Sequence, residues 1–191
     1  DDPVRVKEGW DAVKTIVQRI RKLVLNILFF AKEREFMPEA TDLLNFAYDV
    51  TASVESKINA AGVKLDCDFD SESLEVQMDA GVVRLALINI LENALDACLE
   101  DTAKKSHRIG FSLKPRGKDI VFEISDNGTG MDRETRESLF TLFFSSKGNK
   151  GTGLGLFIAN KIITQHGGKI TVDSKPNQGS RFRISIPRVL K

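Results

Sequence analysis

Two asparagines four residues apart, Asn89 and Asn93, carry the first sign of chemistry in this sequence. At that spacing on a helix their side chains share one face, and Asp96 lies on the same face three residues further on. Amide carbonyl oxygens suit a hard cation such as Mg²⁺, which keeps most of its water ligands. The pair indicates a magnesium site on a helix, although two asparagines on a solvated face would give the same pattern.

A second candidate site follows a β-branched stretch and reads Asp126-Asn127-Gly128-Thr129-Gly130-Met131. A carboxylate at the end of a strand can accept a hydrogen bond from an exocyclic amine, and two glycines let backbone approach a ring. The segment therefore indicates a binding site for a base. An ordinary Asp-Gly turn is the alternative.

A third segment, Gly151-Thr152-Gly153-Leu154-Gly155-Leu156, opens a predicted helix. Glycines that present free N–H groups at a helix N-terminus form a cradle for anions, and the helix dipole adds to it. The segment lacks the Gly-Lys-Ser/Thr ending of a P-loop, and it does not directly follow a strand as the dinucleotide-binding fingerprint requires. It therefore predicts a phosphate site of another type.

About 20 residues separate the second and third segments, which is long for a connection in a compact domain and typical of a lid. Phe140, Phe143 and Phe144 can hold such a lid closed, and Lys147 can meet phosphates. An exposed lysine without a ligand is the alternative for Lys147.

Charge is divided unevenly along a chain whose net charge is only +1. Residues 1–100 carry 11 basic and 19 acidic side chains (−8), whereas residues 101–191 carry 17 basic and 8 acidic ones (+9). The basic half should attract anions, and it holds nine of the 14 glycines between Gly128 and Gly179. Clustered glycines favour the phosphates of a nucleotide over nucleic acid as that anion.

Composition excludes several classes of protein. With 41% hydrophobic and 29% charged residues, the chain is globular and not disordered. Cys67 and Cys98 are far apart and outside metal-ligand spacing, so they exclude a disulfide framework and argue against zinc; we expect both to be buried. The longest nearly apolar run, Leu23–Ala31, falls short of the ~20 residues that span a bilayer. A cytoplasmic segment is therefore expected.

Hydrophobic periodicity predicts helices at Leu43–Ala61, Val82–Leu99 and about Leu154–Gln165. Short strands are predicted at Val63–Phe69, Leu74–Met78, Ile109–Leu113, Ile120–Ser125, Lys169–Val172 and Arg181–Ile186. Gly62 closes the first helix, Asp79 caps the second, and Pro115-Arg116-Gly117 forms a turn. These elements predict an α+β fold, a two-layer α/β sandwich with a mixed, mostly antiparallel sheet and helices on one face.

A long helix is predicted to precede this domain. Its apolar positions repeat at intervals of three and four, at Trp10, Val13, Val17, Ile20, Val24, Ile27 and Ala31. Such a seam needs a partner helix, although packing on its own domain is the alternative. Charges followed by Pro38 mark a linker, so we divide the chain into residues 1–37 and 38–191.

The order of these motifs resembles the ATP-binding catalytic domain of sensor histidine kinases. An Asn-rich helix, D-x-G-x-G, a Phe-rich lid and G-x-G-L-G-L follow one another over about residues 40–188, and chance is a poor explanation for four motifs in order. The closing segments His166–Ile170 and Gly179–Phe182 agree with it, with Ser180 where that family often has Thr. The wider group with this nucleotide fold includes DNA gyrase, mismatch-repair ATPases and the large heat-shock chaperones.

The resemblance implies roles for these positions, with ATP and Mg²⁺ as cofactors. Asn93 would bind Mg²⁺ with Asn89 supporting it, and Asp126 would bind the adenine amino group. The remaining positions implied at the nucleotide site are Asp96, Gly128, Gly130, Met131, Phe144, Lys147, Gly151, Thr152, Gly153, Leu154, Gly155, Leu156 and Ser180.

One departure bears on the reaction. Hydrolytic members of the wider group carry a Glu as general base four residues before the metal-binding Asn, where this chain has Asn89. An amide cannot take the proton, and Glu92 points about 100° away from Asn93 on the helix. Phosphotransfer is therefore favoured over an ATP-driven conformational machine. A non-catalytic nucleotide-binding or interaction module, and a kinase for Ser or Thr, stay open as alternatives.

Neither histidine fits the phosphoacceptor that a histidine kinase needs. His107 is expected at the surface, and His166 at a helix C-terminus, where the dipole favours a cation and a structural role. The heptad helix resembles the second helix of the dimerisation hairpin, so we expect the acceptor His upstream of Asp1. The resemblance implies two partners, the dimerisation and phosphoacceptor domain of the same protein and a response-regulator receiver domain. We expect a homodimer in the full-length protein, and neither nucleic acid nor membrane contact by this segment.

Overall fold

The computed structural model describes residues 5–11, 13, 14, 16, 17, 20, 24, 37–69, 74–145 and 152–188. The chain divides into two compact units, Asp1–Glu35 and Phe36–Lys191. All described residues of the first unit are helical, and the seam positions among them are exposed. The seam positions Ile27 and Ala31 lie outside the described residues. Within the described part of the chain, no helix is long and apolar enough to cross a membrane.

A five-stranded sheet forms one layer of the second unit. Its strand order is β2-β4-β5-β7-β6, with β2 parallel to β4 and every other pair antiparallel. The bounds are β2 Lys64–Phe69, β4 Arg108–Arg116, β5 Asp119–Asp126, β6 Lys169–Lys175 and β7 Gly179–Pro187. Alternate residues of the central strands, such as Ile120, Phe122 and Ile124, are buried, so one face of this sheet holds the core.

Three helices cover that face. They are α1 Leu43–Ala60, α2 Ala80–Glu100 and α4 Gly155–Gln165, while α3 Arg133–Ser138 is a short connecting helix. Phe46 of α1 packs edge-on against Phe122 of β5, with ring centroids 6.0 Å apart. The most extensive helix-to-helix contact joins α2 to α4. The predicted α+β sandwich with a mixed, mostly antiparallel sheet is confirmed.

The predicted strand Leu74–Met78 exists as β3 Glu75–Met78, but it lies outside the main sheet. It pairs with β1 Glu39–Asp42, a strand that the sequence analysis missed together with α3. β1 is short and polar, so it carries no hydrophobic alternation. It is held by its surroundings, because the Asp42 carboxylate caps α1 through the Asn45 N–H at 2.8 Å and the Leu43 N–H donates to Leu74 O.

The predicted turn between β4 and β5 exists, but of the three predicted residues Pro115-Arg116-Gly117 it includes only Gly117. Pro115 and Arg116 belong to β4 and pair with Ile120 and Asp119. The strands reverse at Gly117 and Lys118 instead, and Gly117 has a φ of +59°. A two-residue hairpin of this kind matches the right-handed twist of the strands only when positive φ is available, which Gly117 supplies.

Two predictions about single side chains need correction. Cys98 is buried as expected but Cys67 is exposed. His107 is half-buried, not at the surface, and its Nε2 lies 3.0 Å from Asp101 O. His166 is structural as predicted, yet it is 1% exposed, and burial lowers its pKa, so the neutral ring is favoured despite the helix dipole.

His166 joins two helices and the start of the second unit. Its Nδ1 lies 2.8 Å from Ile162 O, and its Nε2 accepts from the Asp79 N–H at 3.2 Å. Asp79 is the N-cap of α2, with a carboxylate that accepts from the N–H of Val82 at 3.3 Å and of Met37 at 3.4 Å. A charged ring would lose the acceptor that this network uses.

This network predicts that stability falls in mild acid through His166. Because its folded-state pKa lies below the ordinary 6.5, the unfolded chain binds the proton first and the free energy of unfolding drops as pH falls through about 6.5. Chemical denaturation of the wild type and His166→Gln from about pH 7.5 to pH 5 measures this. We expect the free energy of unfolding to fall more steeply with decreasing pH in the wild type than in His166→Gln. Equal slopes would contradict the assignment, and the comparison cancels the contributions of the carboxylates common to both proteins.

Candidate nucleotide-binding site

The two asparagines that predicted a metal site sit on the part of α2 that contacts α4. Asn89 is only 3% exposed, and its Nδ2 has no hydrogen-bond partner among the described residues. A Cβ placed on Gly155, the first residue of α4, would lie 3.4 Å from Asn89 Oδ1. A buried amide donor without a partner carries a desolvation cost, so its presence beside a helix N-terminus points to a bound anion.

Asn93 is half-buried one turn further along α2. Its Nδ2 donates to the Asn89 backbone O at 2.8 Å, so the amide oxygen is the atom of this side chain that could serve as a ligand. The neighbouring Glu92 is turned away, since its carboxylate pairs with Lys57 of α1 at 2.7 Å. Asp96 is exposed on the next turn of α2. Amide oxygens at this spacing can hold a cation that remains largely hydrated.

Asp126 is the last residue of β5, and its carboxylate is largely withdrawn from water. Burial raises the pKa of Asp126 to about 6, while the N–H groups of Gly128 and Ser180, the Ser180 hydroxyl and the Lys104 charge oppose the rise. The Gly128 N–H donates to Asp126 Oδ1 at 2.9 Å. A buried carboxylate fixed by its own loop can accept an amine hydrogen bond with little reorganisation.

Glycines in the following loop serve backbone packing. A Cβ on Gly128 would lie 2.4 Å from the backbone O of Ala97 in α2, and one on Gly130 would lie about as close to Lys175 O. A Cβ on Gly179 would likewise lie too close to the backbone O of Asp126, and both Gly130 and Gly179 have positive φ. These glycines therefore seat the loop between α2 and the β6–β7 hairpin, which the sequence analysis did not anticipate.

A buried hydroxyl pair connects the loop to the hairpin. The Met131 N–H donates to Ser174 Oγ at 2.9 Å, and Ser174 Oγ lies 3.1 Å from Ser180 Oγ. Ser180 was predicted from the resemblance, but Ser174 was missed because a lone serine in a strand carries no pattern. Met131 itself is half-buried at the edge of this cluster.

The base of the predicted lid rests on the glycine-rich segment. The Phe143 N–H donates to Gly153 O at 3.1 Å, and Phe143 and Gly153 have φ of 63° and 64°. Phe143 is 65% exposed, whereas Phe140 and Phe144 are half-buried. Lys147 and Gly151 lie outside the described residues. The described ends of this connection thus meet beside the N-terminus of α4.

The N-terminus of α4 has no side-chain cap. Leu154 is its N-cap and provides no side-chain hydrogen bond, although the Thr152 hydroxyl accepts from the Leu154 N–H at 3.4 Å. Leu154 is buried and Leu156 half-buried, so these two side chains anchor the segment at the uncapped start of the helix, where the helix dipole can receive an anion. The arrangement suits a nucleotide phosphate chain at the start of α4, and Asn93 would hold a hydrated Mg²⁺.

Comparison with known proteins decides the family. The family model described as histidine kinase-, DNA gyrase B- and HSP90-like ATPase matches residues 78–190, more than half of the chain. The chain belongs to this family. Its motifs and relatives place this ATPase-fold chain among histidine kinase catalytic domains, as the resemblance implied.

Relatives and solved structures of this ATPase fold agree. Sensor kinase CckA of Brucella abortus is 30% identical over 94% of the chain, which spans 20% of that relative's length. A nucleotide-free catalytic domain of histidine kinase ThkA aligns with a TM-score of 0.69, 29% identity, 82% of this chain and 97% of that chain. ThkA in complex with response regulator TrrA aligns with a TM-score of 0.80 and 27% identity, covering 98% of this chain and 53% of that chain.

The packing of the loop predicts that Gly128→Ala is damaging. The added Cβ meets the backbone of α2, so we expect a loss of about 1–3 kcal/mol in the free energy of unfolding and weaker nucleotide binding. Gly81→Ala is the matched control, since its Cβ meets nothing closer than 3.6 Å, and we expect it to keep or slightly raise stability. Chemical denaturation and calorimetric titration with ADP measure both effects. Equal behaviour of the two variants would contradict the packing argument.

Proposed function

We propose that this domain binds Mg-ATP and transfers the γ-phosphoryl group to a histidine outside this segment, for relay to an aspartate of a response regulator. One observation carries the proposal most directly. The unpartnered Asn89 amide lies beside the uncapped N-terminus of α4, with Asn93 one turn away. Donors for phosphate and an oxygen ligand for a cation therefore converge at one point.

Each group has a distinct task in binding. The Asp126 carboxylate accepts from the adenine amine, and the loop that follows it holds that carboxylate in place. Asn89 Nδ2 and the uncapped start of α4 would receive the phosphate oxygens, and the amide oxygen of Asn93 would hold Mg²⁺. The bound Mg²⁺ neutralises charge on the phosphates, which is the main electrostatic need of phosphoryl transfer. The domain acts by positioning and charge neutralisation.

Side chains next to the metal site favour transfer over hydrolysis. Asn89 occupies the position of the general base in hydrolytic relatives and cannot take a proton. Glu92 is committed to its ion pair with Lys57. Neither described histidine is suited to be the acceptor, because His166 is buried and His107 is half-buried against the backbone of Asp101.

The first unit supports the choice of partners. Its described seam residues Trp10, Val13, Val17, Ile20 and Val24 are between 46% and 60% exposed, which leaves an apolar stripe for another helix. We infer that residues 1–37 contribute the second helix of a dimerisation hairpin and that the full-length protein is a homodimer. The solved complex of the similar kinase ThkA with a response regulator supports a receiver domain as the second partner. The domain would work in the cytoplasm.

Nucleotide binding tests the proposal. In calorimetry with ADP, Asp126→Asn should weaken affinity about 10- to 100-fold, because a hydrogen bond to a charged carboxylate is lost. Asn93→Ala should abolish the gain in affinity that Mg²⁺ gives while leaving metal-free binding intact. Asp68→Asn and Asn59→Ala, both at exposed positions, are the controls. Failure of the wild type to bind either ATP or ADP would overturn the proposal.

A further inference from the structure

We propose that Lys104 is a positioning residue for the nucleotide-binding loop Asp126–Gly130, fastening it to the end of α2 and holding the Asp126 carboxylate in its binding geometry. This inference rests on the proposed function of Asp126. Lys104 lies in the connection between α2 and β4, outside every motif that the sequence analysis singled out.

The Lys104 ammonium is fixed between two acceptors. It lies 2.6 Å from Asp101 Oδ2 and donates to the backbone O of Gly128 at 3.2 Å. Asp101 is itself rigid, because it is 9% exposed and its Oδ1 accepts from the N–H groups of Ala103 and Lys104. A lysine held this way loses less side-chain entropy on contacting Gly128 than a freely moving one would.

Other bonds attach the same loop to the same neighbours, but they are neutral. The Thr129 N–H donates to Ala97 O of α2 at 3.2 Å. Asn127 accepts from the Arg108 N–H at 2.8 Å through Oδ1 and donates to Ser106 O at 3.2 Å through Nδ2. Among these attachments, only Lys104 carries a formal charge. It donates to the carbonyl oxygen of Gly128, and the N–H of Gly128 in turn donates to the Asp126 carboxylate. Losing Lys104 therefore affects both the position and the charge balance of Asp126.

Charged and titratable groups surround the Asp126 end of β5 on every side. They are Cys98 on α2, Asp101 and Lys104 in the connection after it, Asp66 on β2, Arg108 on β4, Arg136 on α3, and Asp173, Lys175 and Arg181 on the β6–β7 hairpin. Of these, Lys104 is the cation that opposes the raised pKa of Asp126. Removing its charge should raise that pKa further, so protonation would weaken Asp126 as an acceptor at higher pH than in the wild type.

The test compares Lys104→Met with Lys104→Arg and with Lys105→Met, a neighbouring exposed lysine for which the structure shows no contact to the loop. NMR titration of the Asp126 carboxyl in the nucleotide-free protein should give a higher pKa in Lys104→Met only. Titrations with adenosine and with ADP at pH 8 should show that Lys104→Met binds both about three- to tenfold more weakly than the wild type. Lowering the pH to 6 should weaken binding further in both proteins, and the decrease in affinity should be larger for Lys104→Met. Lys104→Arg should restore wild-type values.

The outcomes separate the alternatives. Weaker binding of ADP with unchanged adenosine binding would mean that Lys104 contacts phosphate directly, which overturns the positioning role. Wild-type behaviour of Lys104→Met in both the NMR and the binding experiments also overturns it. If Lys104→Met unfolds, Lys104→Gln replaces it and the same comparison applies. A wild type that binds neither adenosine nor ADP is a failure of the proposed function instead, and the Asp126 titration still tests the contact.

Discussion

Backbone meets backbone at the centre of this site, with no room for a side chain between. The loop Asp126–Gly130 lies against α2 on one side and against the β6–β7 hairpin on the other, and Gly128, Gly130 and Gly179 make both approaches possible. Hydrogen bonds of Asp126 and Met131 depend on this spacing. Asp126 reaches the Gly128 and Ser180 donors, and Met131 reaches Ser174, only because the three segments lie this close.

Such close packing creates an electrostatic problem that the site has to balance. A carboxylate that is to bind a base, as proposed for Asp126, must be partly shielded from water to be selective, yet shielding favours its neutral form. Two backbone N–H groups, a hydroxyl and the Lys104 ammonium oppose that tendency. The result is a carboxyl whose pKa of about 6 lies close to neutral pH, so small changes in its surroundings alter its charge.

Much of this fold was predictable because local patterns and global packing agree. The amphipathic periodicity of α1, α2 and α4 and the caps at Asp79 and Gly62 appear as expected, since each reports directly on which residues are buried or which φ is needed. β1 and α3 were missed because neither has a buried face of its own. Their formation depends on partners distant in sequence.

The candidate site shows the same division. Asn89, Asn93, Asp126 and the glycines have types and spacings that indicate a nucleotide, and the structure brings Asn89 to Gly155. Lys104 and Ser174 have no such signal, because their importance comes from tertiary contacts alone. His166 illustrates the limit of local electrostatics, since the helix dipole that favours a cation is outweighed by the cost of burying a charge. The sequence therefore predicts which side chains can take part in a contact, but not how far the surrounding fold buries them.

Hydrogen bonds of His166 and Asp79 tie the two helices of the candidate site to each other. α4 begins at Gly155, beside Asn89, and ends next to His166, about 16 Å away for 11 helical residues. α2 likewise carries Asn89 and Asn93 and begins after Asp79, whose carboxylate also accepts from the N–H of Met37. The two helices are therefore fastened together remote from the contact between Asn89 and Gly155, by hydrogen bonds that require a neutral imidazole.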